Sequence, residues 1–161
     1  MLTGKEDIVR AITEALALEK GTREFYQFAA SKVKDKSAKD IFSVLRDMEE
    51  RHMRYLDFLY LAVSEERDLL GYKDFSSSVT ATHIESGVSA RDAMKLFEEQ
   101  EIKTAKDALK VAFRIEGQAH GLYMKLAETA ADPEVTVIFE EMVAQELKHV
   151  EYLKDLEKMV K

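Results

Sequence analysis

Apolar residues recur along most of this chain at steps of three and four positions, which is the spacing of one face of an α-helix. One such stripe begins near residue 4, and a second follows from about residue 37. Two more stripes cover about 104–130 and 132–159. The chain has one proline, Pro133, and only six glycines, so long stretches contain no helix breaker. The pattern therefore predicts four long helices in an all-α chain.

Hydroxyl side chains followed three positions later by an acidic residue mark the predicted helix starts, because each can cap a backbone N–H group of the other. The pairs are Thr3 with Glu6, Ser37 with Asp40, Ser89 with Asp92, and Thr104 with Asp107. The last long helix begins instead with Asp132 as N-cap and Pro133 at the first helical position. The pair at Ser89 predicts a short extra helix that ends near Glu101.

Residues 68–88 have little helical period and contain Gly71, Gly87 and three consecutive serines at 76–78, so they predict a connection. The links after the first and third long helices are short, which makes each pair an antiparallel hairpin. The middle connection is long enough to run the length of the bundle. We therefore predict an up-down-down-up four-helix bundle with one long crossover and a short extra helix. This is the connectivity of ferritin-like bundles, and we expect a single domain over residues 1–161.

The two halves of the chain repeat with an offset of 97 residues. The offset carries Glu19 to Glu116, Tyr26 to Tyr123, Ile41 to Ile138, Glu49 to Glu146, His52 to His149, Tyr55 to Tyr152 and Leu56 to Leu153. The register is constant across two helices and a loop, so we interpret residues 4–65 and 101–161 as an internal duplication. A pseudo-twofold axis then passes through the core of the bundle.

Two glutamates, Glu19 and Glu116, lie in the middle of apolar stripes, where an isolated buried charge is strongly unfavourable. The other two long helices each carry a Glu-x-x-His motif, whose two side chains project from one helix face. In the folded bundle all six side chains can meet: they are Glu19, Glu49, His52, Glu116, Glu146 and His149. This combination is the known di-metal arrangement of ferritin-like bundles.

A pair of divalent cations would balance the charge that these side chains bring into the core. Four carboxylates carry about −4, two divalent ions carry about +4, and bridging ligands hold such ions roughly 3.5–4 Å apart. The mixed set of carboxylate and imidazole suits iron, with manganese and zinc as alternatives. We therefore predict two metal ions, with iron as the leading assignment.

Composition restricts the partners and the location of the protein. The net charge of −7 argues against a nucleic-acid or anionic-membrane surface, because both need basic patches. The absence of cysteine excludes thiolate metal sites and thiol chemistry. The sequence contains no apolar run of about 18 residues and no apolar signal segment, so we expect a cytoplasmic protein.

Four segments resemble the rubrerythrin-like branch of the ferritin-like superfamily. They are LEKGTREFY (18–26), EERH (49–52), IEGQAHGLY (115–123) and ELKH (146–149). The resemblance implies a di-iron centre that reacts with peroxide or oxygen in the response to oxidative stress. Rubrerythrins proper carry a rubredoxin domain with cysteine ligands, which this sequence lacks, so the resemblance implies an external redox donor. The family also has a glutamate three residues after the third-helix ligand; here that residue is Ala119, a departure from the family's peroxidase pattern.

Three further residues are candidates for roles beside the metals. Tyr26 and Tyr123 lie seven positions after the helix glutamates. As catalytic candidates they either hydrogen-bond the site or pass electrons; the alternative is that they are core aromatics with a satisfied hydroxyl. His120, four positions after Glu116, is either an additional ligand or a group that supports the ligands.

The leading functional hypothesis is a di-iron oxidoreductase that delivers electrons to peroxide or oxygen and is restored by an external reductase. An iron-binding ferroxidase or storage protein is one alternative. A di-iron hydroxylase, which needs an apolar pocket beside the metals, and a non-catalytic or structural bundle are the others. We also expect a homodimer, because ferritin-like bundles often pair along a helix face.

Overall fold

The computed structural model describes residues 4–64, 79–85 and 87–160. Within these ranges the chain forms five helices and no strand: α1 Gly4–Lys32, α2 Lys36–Ser64, α3 Ala90–Glu99, α4 Ala105–Thr129 and α5 Pro133–Met159. The four long helices carry the predicted apolar stripes, and α3 is the predicted extra helix. The predicted all-α bundle is therefore confirmed.

The helices pack as two hairpins. Helix α1 packs along α2 and α4 packs along α5, and each hairpin has a link of three residues, 33–35 and 130–132. Helix α2 also contacts α4, and α1 contacts α5, which closes the bundle. The short helix α3 packs against α1. These contacts bury two separate apolar clusters, one toward each hairpin link.

Three predicted helix caps are present and one is wrong. The confirmed caps are Ser89, which accepts from Asp92 N, Thr104, which forms a capping box with Asp107, and Asp132, which accepts from Glu134 N. Helix α2 is capped by Asp35 rather than by Ser37, because the Asp35 carboxylate accepts the Ala38 N–H at 2.8 Å. A carboxylate satisfies the free N–H groups and also favours the positive end of the helix dipole. Helix α3 ends at Glu99, two residues before its predicted end.

The described end of the crossover contains a tight turn. The Ile84 N–H donates to Val88 O and the Gly87 N–H donates to Ile84 O, both at 2.9 Å. Gly87 has a φ of +84°, a left-handed conformation that glycine adopts at low cost. The turn holds Glu85 near its tip, and the Glu85 side chain is fully buried.

Several features of the prediction lie outside the described residues. These are the Thr3 cap, Gly71, the serines at 76–78 and the last residue of each repeat, residues 65 and 161. Among the described helices, none combines the length and the apolar character needed to cross a membrane.

Candidate metal centre

The structure brings the six predicted side chains together in the middle of the bundle, between the two apolar clusters. Helices α1 and α4 each contribute one glutamate, and α2 and α5 each contribute a glutamate and a histidine one turn apart. The members are Glu19, Glu49, His52, Glu116, Glu146 and His149. All four carboxylates are fully buried, and each histidine is 5% exposed. Because water is excluded, electrostatic interactions within this cluster are strong.

Each histidine is bonded to the helix glutamate of its own half. His52 Nδ1 lies 3.0 Å from Glu19 Oε2, and His149 Nδ1 lies 2.8 Å from Glu116 Oε2. Burial alone would lower the pKa of both imidazoles, but the adjacent carboxylates outweigh it. They raise the pKa of His52 to about 9 and the pKa of His149 to about 10. The two imidazolium groups therefore balance part of the negative charge when no cation is bound.

The two tyrosines connect the halves of the bundle. Tyr26 on α1 donates its hydroxyl to Glu116 Oε1 on α4 at 2.5 Å, and Tyr123 on α4 donates to Glu19 Oε1 on α1 at 2.7 Å. Burial and the neighbouring carboxylates raise the pKa of both phenols well above the usual value, so both hydroxyls stay protonated donors. Both hydroxyls therefore hydrogen-bond the site, and both rings also belong to the buried apolar clusters. A catalytic or electron-transfer role of the two tyrosines stays a prediction.

Several buried carboxylates have no hydrogen-bond donor among the described residues. Both oxygens of Glu49, Glu85 and Glu146 make no hydrogen bond there, although Glu146 lies 3.4 Å from His52 Nδ1 and 3.5 Å from His149 Nδ1, and Glu49 lies 3.6 Å from His149 Nδ1. Burial, together with the charges of neighbouring carboxylates, raises the pKa of Glu49 and Glu85 well above the usual range. Burial also raises the pKa of Glu116, to about 7. A cluster of this kind is unfavourable for the protein alone, and divalent cations would satisfy the free oxygens, so the residues fit a metal pair.

The ligand atoms form two overlapping groups. One comprises Glu19, Glu49, His52, Glu85 and Glu146, the other comprises Glu49, Glu116, Glu146 and His149, and the atoms of each group lie within 4.8 Å of one another. Glu49 and Glu146 belong to both groups. These two carboxylates are therefore placed to bridge two metal positions, and the remaining members are placed to bind one position each.

Glu85 is the member that sequence reasoning missed. It lies in the crossover, which has little helical period, and no stripe points to it. Its backbone N–H donates to Thr22 Oγ1 at 2.9 Å. Thr22 lies one turn after Glu19 on α1. A sequence signal did exist, since Thr22 and Gly21 interrupt the apolar face of α1 with a polar and a small residue. Neither Gly21 nor Thr22, however, indicates from the sequence which crossover residue it contacts.

The two neighbouring positions on α4 do not extend the cluster. His120 is half-buried, and its ring belongs to neither group of ligand atoms. The structure therefore does not bring the possible additional ligand to the site. Ala119 is fully buried and adds no polar group at the position where the resemblance expects a glutamate.

A surface cavity of about 290 Å³ reaches the two histidines from solvent. It lies between α2 and α5 and is lined by Met48, Arg51, His52, Glu141, Gln145, Lys148 and His149. Six of the seven lining side chains are polar or charged, although most of the surface that they expose to the cavity is apolar. The cavity gives small molecules a route to the imidazole edges.

The four long helices surround a buried cluster of carboxylates and imidazoles, which a cavity reaches from solvent on one side. This arrangement is that of a helical bundle of the di-metal carboxylate class. The rubrerythrin family model matches residues 107–161, about a third of the chain, which includes Glu116, Glu146 and His149. No curated protein matches the chain at a significant level.

A crystal structure of ferritin-like, diiron-carboxylate proteins from Bacillus anthracis strain Ames matches with a TM-score of 0.54 and 22% identity, over 97% of this chain and 99% of that chain. At this identity the match shows the fold alone. The resemblance predicted from the sequence is confirmed to this extent: residues 107–161 match the rubrerythrin family model, and the chain is similar in fold to a ferritin-like, diiron-carboxylate protein.

Proposed function

We propose that this protein is a di-iron carboxylate oxidoreductase that reacts with peroxide or oxygen and receives electrons from a separate donor. The observation that carries the proposal is the pair of ligand groups that overlap at Glu49 and Glu146. A shared pair of carboxylates holds two cations side by side, which is the arrangement that two-metal chemistry requires. The rubrerythrin match and the diiron class of the similar Bacillus anthracis protein favour iron over manganese or zinc.

In this proposal the ligands divide into bridging and terminal groups. Glu49 and Glu146 would contribute ligand atoms to both positions. The terminal carboxylates, Glu19 and Glu116, are each held by a histidine of the same half and by a tyrosine of the other half. These bonds fix the carboxylate orientation before a metal arrives, which lowers the ordering cost of binding.

Bound ferrous ions would supply the two electrons that reduce hydrogen peroxide to water. The candidate ligands lie between two apolar clusters, and in the part of the chain that the structure describes the cavity beside His52 and His149 leads to them from solvent. This approach suits a small oxidant better than a bulky organic substrate. The sequence contains no cysteine, so we place the electron donor outside these residues.

The test begins with metal-free protein loaded anaerobically with ferrous iron. Bound iron per chain is counted after gel filtration, peroxide is added, and ferric absorbance and residual peroxide are followed together. Two irons per chain, oxidised faster than free ferrous iron while peroxide disappears, would support the proposal. Fewer than one iron per chain would overturn it. Ferric iron that accumulates far beyond two per chain in a large assembly would instead favour the ferroxidase or storage alternative.

A further inference from the structure

Glu85 enters the cluster from outside the duplicated helices. Its carboxylate is fully buried and lies in one group with ligand atoms of Glu19, Glu49, His52 and Glu146. Neither of its oxygens has a hydrogen-bond donor among the described residues. Among these carboxylates the ionised form of Glu85 is unfavourable unless a cation binds its oxygens.

The crossover is held against α1 at close range. A Cβ atom added at Gly21 would lie 2.1 Å from the backbone oxygen of His83, so only glycine allows this contact. One residue further along α1, Thr22 Oγ1 accepts the Glu85 N–H. The Lys20 ammonium donates to Val79 O at 3.0 Å. These three consecutive α1 residues therefore fix the segment that carries the Glu85 carboxylate into the core.

The duplication gives Glu85 no counterpart. Residue 85 lies between the two repeats, and every other member of the cluster has a partner 97 residues away. One ligand group therefore contains five side chains and the other contains four. The additional member is a carboxylate, which is a strong ligand for a hard divalent cation.

We propose that Glu85 is a metal ligand and that it makes the two metal positions unequal. The inference rests on the proposed di-metal function. The position with Glu19, His52 and Glu85 holds its cation more tightly. The position with Glu116 and His149 has fewer protein ligands and leaves more of its coordination sphere open to a small oxidant.

The test uses Co²⁺ as a spectroscopic probe, added stepwise to the metal-free full-length protein. We expect the wild type to bind two ions per chain in two distinguishable steps. Glu85→Gln keeps the size of the side chain and should weaken one step tenfold or more while the other step stays unchanged. The matched control, Glu24→Gln on the exposed face of α1, should leave both steps unchanged, and circular dichroism verifies that each variant is folded.

Double variants identify the position. Glu85→Gln combined with His149→Gln should weaken both steps, whereas Glu85→Gln combined with His52→Gln should weaken only one. Gly21→Ala displaces the crossover segment that carries Glu85 but changes no ligand residue, so it should reproduce the Glu85→Gln titration. Its control is Gly117→Ala, since a Cβ at the exposed Gly117 meets nothing within 4 Å.

The outcomes separate the two proposals. If the wild type and Glu85→Gln each bind two Co²⁺ ions with the same affinities, the role of Glu85 is overturned and the di-metal site stands. Equal weakening of both steps by Glu85→Gln would also overturn the inequality. Failure of the wild type to bind Co²⁺ and Fe²⁺ would remove both the di-metal function and this inference.

Discussion

The imidazole rings of His52 and His149 stack face to face, with centroids 4.4 Å apart and planes 2° from parallel. They occupy equivalent positions of the two repeats, so the stack lies across the pseudo-twofold axis. Two protonated rings at this distance repel each other. The contact is tolerated because each Nδ1 has a carboxylate partner of its own. The charge of the metal-free site therefore depends on pH.

We expect the metal-free protein to lose stability between about pH 6.5 and pH 10. A histidine whose pKa is raised by folding stabilises the fold fully below its ordinary value of 6.5, and this contribution is lost as the pH rises through its folded value. The folded values are about 9 for His52 and about 10 for His149. The raised pKa of Glu116, about 7, adds a loss of the same sign that lies between about pH 4.5 and pH 7. Thermal unfolding in chelator should show a midpoint that falls by more than about 5 °C over this range.

The double variant His52→Gln with His149→Gln is the control for this slope. It removes both groups that titrate near pH 9–10 and should flatten the upper part of the curve. A wild-type midpoint that rises toward pH 10 would contradict the assigned direction. Added divalent metal should reverse the trend, because protons and cations compete for the same atoms.

The bridging and terminal glutamates should respond differently to substitution. Glu49→Gln and Glu146→Gln change ligands of both groups, so each should lower affinity at both positions, by tenfold or more. Glu116→Gln changes a ligand of one group and should leave about one tightly bound metal per chain. Equilibrium dialysis followed by elemental analysis measures the stoichiometry. Glu141→Gln, at the exposed rim of the cavity, is the control, and one metal retained by Glu146→Gln would contradict the bridging assignment.

The helical part of the site was predictable because periodicity fixes the direction of a side chain. Because Glu19 and Glu116 lie on apolar stripes, burial of the stripe directs them toward the core. The spacing within each Glu-x-x-His motif places its glutamate and its histidine on one helix face. The constant offset between the repeats then predicts that both halves meet at one axis. These local rules account for the positions of the six helical side chains of the cluster in the described bundle.

Glu85 was not predictable for the opposite physical reason. A crossover has no period, so its side-chain directions depend on where its backbone docks. Docking here depends on the close approach at Gly21 and on the Thr22 hydroxyl, which are tertiary contacts. The Ser37 cap failed in a similar way, since two neighbouring candidates competed and the carboxylate of Asp35 formed the bond.

Removal of a tyrosine hydroxyl should destabilise the fold and leave the metal count unchanged. Tyr26→Phe deletes the donor to Glu116, and a buried acceptor that loses a partner costs about 1–3 kcal/mol. For a chain of this size this corresponds to a fall in Tm of roughly 2–4 °C per kcal/mol. Tyr123→Phe should behave alike, because it deletes the equivalent bond to Glu19. Calorimetry of the metal-free variants measures the change.

Tyr152→Phe, a half-buried tyrosine on α5, is the matched control for these two variants. It should lower Tm by less than either substitution in the cluster. Loss of a bound metal from Tyr26→Phe would show that the hydroxyl is needed to hold Glu116 in a ligating position, against the expected outcome.

Blocking the cavity should slow the reaction without removing the metals. Gln145 lines the approach to the histidines, and Ala144 beside it is exposed and outside the lining. Gln145→Trp adds a large ring to a cavity of about 290 Å³ and should leave two metals per chain. The rate of ferrous oxidation by peroxide should fall at least about tenfold, which is equivalent to about 1.4 kcal/mol in the barrier. Ala144→Trp adds the same ring on the same helix and should react at the wild-type rate. Stopped-flow absorbance compares the variants at equal iron loading, and equal rates for both would place the route of the oxidant elsewhere in the bundle.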